Sequence, residues 1–205
     1  MILIGYSGHA FVVAGILQAA GKIVDGYCDA EQKEFNPFGL EYFGTESSAE
    51  GINKIKTTDF FISIGNNGIR KKIYERFAAM QRYPLNAIHP SAIIAPAVTI
   101  ASLGVMISAG VCINPLASIG DGAICNTGCI IEHECKVGAF AHIAPGAVLC
   151  GNVTVGNGSF IGAGSVVKQG IRIGDNVTIG AGAVVLRDVE DNQIMVGNPI
   201  KKLIK

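Results

Sequence analysis

The chain has 205 residues, 49% of them apolar, with a mean hydropathy of +0.42. That is enough to bury one or two modest cores and far from a disordered or fibrous composition. Its 16 Lys and Arg balance 16 Asp and Glu, evenly on both sides of Leu85, so no basic patch argues for nucleic acid or an anionic membrane.

Met1 to Gly21 holds no Lys, Arg, Asp or Glu. It lacks the basic start of a secretory signal, and Ser7-Gly8-His9 interrupts the apolar run, so we read it as part of the fold and expect a cytoplasmic protein. Ile2-Leu3-Ile4 is a short buried strand, Gly5-Tyr6-Ser7-Gly8-His9 a glycine loop, Ala10 to Ala20 an apolar helix and Lys22 to Cys28 a second strand ending at Asp29. This opens a βαβ unit, in which a loop and helix N-terminus present N–H groups to phosphate. The spacing is not G-x-G-x-x-G, which argues against a nicotinamide cofactor. A tight turn explains the loop as well as a phosphate site does. Asp29 stands where a strand-end acid holds a ribose hydroxyl, or caps a turn.

Ala30 to Lys56 reads only as a connection, with a turn at Asn36-Pro37-Phe38-Gly39. Asp59 to Ile64 is a third apolar strand, broken by Gly65-Asn66-Asn67-Gly68. The helix that follows aligns Ile69, Ile73, Phe77 and Met80 on one face. Arg70, Lys71 and Lys72 near its start would attract a diphosphate or form a solvated basic face. Tyr83-Pro84 ends the helix. Residues 1–85 are thus expected to form a Rossmann-like domain.

From Ile88 to Val185 an aliphatic or near-aliphatic residue returns at every sixth position, with one slip between Ile100 and Ile107. A fixed period carried this far means stacked repeats. Each hexad must be a short strand plus a corner, and three hexads close one triangular coil. The first and fifth positions point inward and the sixth outward. Glycine at the second position, as at Gly120, Gly138 and Gly156, is expected to relieve the corners. Residues 86–205 are therefore expected to form a parallel β-helix with a C-terminal tail.

One face recurs every three hexads, which sorts the outward residues. Ser118, Lys136, Thr154 and Arg172 make a solvent face. Ile124, His142, Phe160 and Thr178 make a mixed face, and Cys112, Ile130, Val148, Val166 and Val184 an apolar stripe. A soluble monomer rarely keeps such a stripe exposed, so it is expected to be a subunit interface, meeting a different face and closing into a ring. Of six cysteines, Cys125, Cys129 and Cys135 fall at inward positions and no Cys-x-x-Cys occurs. They read as small buried hydrophobes.

One segment departs from the bland repeat: Asn126-Thr127-Gly128-Cys129-Ile130-Ile131-Glu132-His133-Glu134. His133 takes a corner, flanked by two carboxylates. Gly151, 18 residues on, lies above it in the same corner and offers a bare backbone N–H. His142 faces outward, so a ring would bring it from one chain toward His133 of the next.

These hexads, together with Gly5-x-x-Gly8-His9, the run from Ile64 through Tyr74 and the closing Gly197-Asn198-Pro199, resemble the bacterial sialic-acid O-acetyltransferase-like family. The likeness is nearest to its UDP-4-amino-sugar N-acetyltransferases. It implies a left-handed β-helix, a hand that the general rule for crossovers does not supply, and a homotrimer with acetyl-CoA in the groove between neighbouring helices. By the same resemblance His133 is the general base and Glu134 its orienting partner. Asn126 is a substrate-side neighbour, and Gly8, His9, Asp29, Gly65 and Asn66 hold the nucleotide sugar. His142 and Gly151 contact acetyl-CoA, while Ala163 and Ala181, on a shared corner, line its pantetheine. Relatives commonly carry paired acids where this chain has Asp29-Ala30, and a small residue where it has Tyr6.

The chemistry is consistent with that reading. A sugar ammonium must lose a proton before attacking a thioester, and an imidazole, with an ordinary pKa of about 6.5, is suited to take it when a carboxylate supports it. An O-acetyltransferase is the runner-up, and a non-catalytic nucleotide-sugar scaffold the alternative from another class. Zinc chemistry on such a prism needs converging histidines, and His89, His133 and His142 do not share the coil spacing.

Overall fold

The computed structural model describes residues 1–203. The N-terminal part is a four-stranded parallel sheet of β1 (Ile2–Ile4), β2 (Gly26–Cys28), β3 (Glu41–Tyr42) and β4 (Phe60–Ile62), in the order β3-β2-β1-β4. Strand alternation divides its core. Leu3 and Phe61 face α1 (Gly8–Ala19), whereas Ile2, Ile4, Phe60 and Ile62 face α2 (Ala49–Thr57) and α3 (Asn67–Ala78).

Several sequence expectations are corrected here. The glycine loop is only Gly5 to Ser7, because Gly8 and His9 already form the first turn of α1. The second strand is confined to Gly26–Cys28, with Ile23 78% exposed. The Ala30 to Lys56 connection contains β3 and α2; Ser48 caps α2 by accepting from the Gly51 N–H at 3.1 Å. The buried face of α3 is Arg70, Ile73 and Phe77, while Ile69 and Met80 are exposed.

The repeat forms three parallel sheets of two-residue strands, with registers Ser118–Lys136–Thr154–Arg172, Ile124–His142–Phe160–Thr178 and Cys112–Ile130–Val148–Val166–Val184. These are the three faces that the period sorts. The first and fifth positions fill one continuous core, including Cys125, Cys129 and Cys135 as free, fully buried thiols. Ser159, also inward, is satisfied by donating to the Gly174 carbonyl at 2.7 Å and accepting from the Val177 N–H at 2.9 Å.

Glycine at the second position has a different cause from the one expected. Gly120, Gly138 and Gly156 do not carry positive φ; a Cβ on each would lie 2.7, 2.7 and 2.4 Å from atoms of the next coil. The left-handed corner conformation falls instead at the fourth position, where Gly128 and Gly146 alternate with Glu134 (φ 61°) and Asn152 (φ 56°).

The mixed face is not free, as a ring contact through it requires. The N-terminal part of the same chain covers it, burying Met106 and Ile124 in one cluster with Leu3, Tyr6, Ala10 and Val13. Arg70, 1% exposed, fastens the two parts: it donates to the Gly122 and Phe140 carbonyls of the prism and to the Ile64 and Gly65 carbonyls beyond β4. It is therefore neither a diphosphate lure nor a solvated charge. The apolar face stays open, with Ile93, Ile130 and Val166 at 67%, 37% and 38% exposure. Among the described residues no helix is long and apolar enough to cross a membrane.

Candidate active site

The candidate residues fall into two groups on one chain, at two different corners of the prism. The first stands at the corner between the apolar and solvent faces. His133 Nδ1 lies 3.0 Å from Glu134 Oε2, both side chains being more than half exposed. Glu134 makes this contact from a left-handed backbone conformation that most side chains avoid. Its own N–H is held by the Pro115 carbonyl one coil below.

With Nδ1 engaged, Nε2 is the free nitrogen of His133. It lies over Gly151: a Cβ there would come within 2.5 Å of both Nε2 and Cε1. Gly151 is thus required by close approach, since its own φ is not positive. Among the described residues the Gly151 N–H has no acceptor, whereas the flanking Cys150 and Asn152 amides donate to Val167 and His133 carbonyls. An open cleft of about 430 Å³ runs from His133 past Gly151 and Asn152 to Gln169 and Gly170.

The second group surrounds the junction of the N-terminal part with the mixed face. The N-terminus of α1 has no side-chain cap from Ser7, and among the described residues the Gly8 and His9 amides at its mouth have no acceptor. His9 packs 3.5 Å from the position a Gly65 Cβ would take, and its buried Nε2 has no partner among the described residues. Asn66 caps α3 through its side-chain oxygen, which accepts from the Ile69 N–H at 3.0 Å. The Gly65 and Asn66 backbone borders a second cleft of about 410 Å³, closed on the other side by Gly158, Phe160 and Thr178.

His142 is only 7% exposed. Its Nε2 lies 3.2 Å from Asn126 Nδ2 and its Nδ1 3.4 Å from the Gly65 carbonyl, so within one chain it braces the junction. Burial, reinforced by the Arg70 guanidinium, pushes the pKa of His9 and of His142 down to about 4. Burial likewise brings Arg70 down to about 9. Asp29 does the work of a turn cap: its carboxylate accepts from the Tyr6 and Ala30 amides, each at 2.7 Å, and pairs with Lys33 at 3.2 Å. Ala163 and Ala181 lie at the Asn126 corner, where the Gly182 N–H donates to the Ala163 carbonyl at 2.8 Å.

The structure therefore brings His133, Glu134 and Gly151 together, and separately His9, Gly65, Asn126 and His142, without joining the two sets in one chain. Arg70 is the important residue that sequence reasoning misses. The signal is its spacing, since positions 70, 73 and 77 share a helical face. Among the described residues no group of three or more His, Cys, Asp or Glu is placed to hold a metal.

A dinucleotide-type α/β unit ahead of a hexapeptide prism, with a His–Glu pair at an open corner, defines an acyltransferase architecture. Comparison with known proteins narrows it. Residues 1–77 match the PglD N-terminal domain, residues 128–160 the hexapeptide repeat of succinyl-transferase and residues 152–187 the bacterial transferase hexapeptide of six repeats. A variant of perosamine N-acetyltransferase from Caulobacter crescentus, solved with CoA and GDP-perosamine, is 36% identical. The match covers 100% of this chain and 96% of that one, with a TM-score of 0.93. The acetyltransferase domain of PglB from Neisseria gonorrhoeae FA1090, solved with acetyl coenzyme A, is 33% identical over 98% of both chains, with a TM-score of 0.89. WeeI from Acinetobacter baumannii AYE, at 23% identity and a TM-score of 0.87, shares the fold. The chain belongs to the PglD/PerB-type family of nucleotide-amino-sugar N-acetyltransferases: an acetyl-CoA-dependent sugar acetyltransferase built on a left-handed β-helix.

Proposed function

We propose that the chain transfers the acetyl group of acetyl-CoA to the 4-amino group of a nucleotide-linked amino-dideoxy sugar, with UDP as the nucleotide, in a cytoplasmic homotrimer. The observation that carries the reading is the His133 corner, where Glu134 holds Nδ1 and leaves Nε2 facing an open cleft above a bare amide.

In this mechanism His133 Nε2 takes a proton from the acceptor ammonium, while Glu134 fixes the ring and supports the imidazolium that forms. Acetyl-CoA supplies the activated acyl carbon: the sugar nitrogen bonds to it and the carbon–sulfur bond breaks. The Gly151 N–H donates to the oxygen that becomes negative between those events. His133 then returns its proton to the departing thiolate, and the second proton of the sugar nitrogen passes to solvent as the neutral amide forms. A single histidine suits an amine better than a hydroxyl, because an ammonium is far more acidic than an alcohol.

The acceptor enters through the other group. The Gly8 and His9 amides and the Gly65–Asn66 turn lie at the carboxyl ends of β1 and β4, where open α/β sheets bind ligands, and a diphosphate suits an uncapped helix N-terminus. The two groups occupy different corners, so a complete site takes His133 from one protomer and the nucleotide-sugar side from its neighbour. The exposed stripe Ile130, Val148, Val166 and Val184 is the surface that holds the ring.

Release of free thiol from acetyl-CoA, measured with UDP- and GDP-linked 4-amino sugars, tests the acceptor. GDP is included because the perosamine relative is solved with GDP-perosamine. The expected result is turnover with the UDP sugar, with free UDP competing against the acceptor and not against acetyl-CoA. Turnover only with free or CMP-linked sialic acid would overturn the amine assignment in favour of O-acetylation.

A further inference from the structure

In a dinucleotide-type unit an acid at the end of the second strand ordinarily hydrogen-bonds a ribose hydroxyl. Asp29 stands at that place, directly after β2, but its carboxylate is already engaged. Oδ2 accepts from the Tyr6 N–H and Oδ1 from the Ala30 N–H, each at 2.7 Å, and Lys33 Nζ closes on Oδ1 at 3.2 Å. Only 16% of the side chain is exposed. A ribose gripped by both oxygens would have to displace these charge-assisted bonds, and would leave the part-buried Tyr6 N–H without an acceptor.

The loop between β2 and β3 is fixed by a second set of bonds. The Tyr6 ring is 1% exposed and stacks on Tyr27 with centroids 4.2 Å apart. Its hydroxyl donates to Asn36 Oδ1 at 2.8 Å, and Asn36 Nδ2 donates to the Leu40 carbonyl at 2.9 Å. This latch sets Phe38 against Phe11, with centroids 6.0 Å apart, and leaves Phe35 outside. Phe35 is 70% exposed and meets Phe11 edge to face, with centroids 5.8 Å apart at 74°. Such a contact leaves the Phe35 ring open for stacking.

These rings flank the mouth of α1. The Phe11 N–H donates to the Ser7 carbonyl at 3.1 Å, so Phe11 lies one turn into the helix. Helical side chains lean toward the N-terminus, which brings its ring back beside the Gly8 and His9 amides. Phe35 extends that surface outward. The neighbouring Glu34 is exposed and disfavours a diphosphate there, which leaves the rings to the uncharged end of a nucleotide.

We infer that the base of the acceptor's nucleotide stacks on Phe35, while Asp29 takes no part in holding its ribose and serves instead to anchor the glycine loop. Stacking engages a flat face that every base has, and ribose hydroxyls left unread do not separate ribose from deoxyribose. The acceptor class therefore extends to amino sugars linked to 2′-deoxynucleotides as well as to ribonucleotides.

This inference rests on the nucleotide lying at the mouth of α1, as proposed above. Calorimetric binding of UDP, 2′-deoxy-UDP, 3′-deoxy-UDP and CoA to the wild-type protein and to Phe35→Ala tests it without turnover. The wild type should bind the three diphosphates within about three-fold of one another, whereas a carboxylate grip would cost either deoxy form about ten-fold or more. Phe35→Ala should weaken all three by a common factor of about ten or more, with CoA affinity and melting temperature unchanged.

Wild-type UDP affinity in Phe35→Ala, an equal loss of CoA affinity, or a ten-fold penalty for either deoxy form in the wild type would each overturn the assignment. Failure of the underlying reading would show differently, as undiminished UDP binding in Gly8→Trp.

Discussion

His133 and the His9–His142 pair differ in every feature of their surroundings. His133 stands at an open corner with a carboxylate on one nitrogen and a cleft at the other. His9 and His142 lie at the junction of sheet and prism with ring centroids 6.1 Å apart; among the described residues neither has a carboxylate partner, and Arg70 is close by. The same side chain is prepared for proton transfer in one place and kept neutral in the other. On the proposed reading, the prism supplies the chemistry at its exposed corners, while the buried seam supplies a rigid mount for the N-terminal part.

Acid should break this comparison first. Each buried ring titrates in the folded protein near pH 4, below an ordinary imidazole at about 6.5. Between those values the unfolded chain binds more protons than the folded one. The stability due to the neutral rings is therefore complete above about pH 6.5 and is lost as pH falls toward 4, on the order of 3 kcal/mol per ring. Urea midpoints should fall steeply over this window in the wild type and less steeply in His142→Gln. Parallel pH profiles for the two proteins would show that the seam does not hold its rings neutral.

Substitution at the open corner sharpens the other side. His133→Ala should lower kcat by about 100-fold or more with little change in melting temperature, since the ring is exposed and its loss removes proton transfer. Gly151→Ala should cost about ten-fold. The backbone accepts alanine there, but the methyl would collide with the His133 ring and displace it from the reacting position. Wild-type kcat in either variant contradicts the assignment. A large fall in melting temperature with unchanged kcat would make the corner structural.

Much of the prism is legible in the amino-acid sequence. The six-residue period places the inward positions, the three faces and the shared corner of His133 and Gly151, because stacked coils repeat one rigid geometry. The N-terminal part is less legible. β3 is two residues long, and α2 buries only Gly51 and Ile55, so neither leaves a strong pattern. The junction is not legible at all. Ile124 and His142 occupy outward positions, and a one-dimensional period cannot say that α1 of the same chain will cover them. Arg70 misleads for a similar reason: beside Lys71 and Lys72 it reads as one of a basic run, while its burial depends on carbonyls of Gly122 and Phe140, far along the chain.

The central claim is that the open corner of one protomer works with the nucleotide-sugar side of another. Mixed oligomers of two disabled variants test it most directly. His133→Ala removes the proposed base, and Gly8→Trp fills the mouth of α1, where an added Cβ meets no other atom within 4 Å and the backbone should not be disturbed. Each homo-oligomer should be nearly inactive. In a ring of three containing both variants, one of the three sites draws an intact base and an intact α1 mouth from different protomers, so doubly tagged mixed oligomers should recover about one third of wild-type turnover. Mixed oligomers as inactive as their parents, or a chain that stays monomeric when the two are co-produced, would contradict the account.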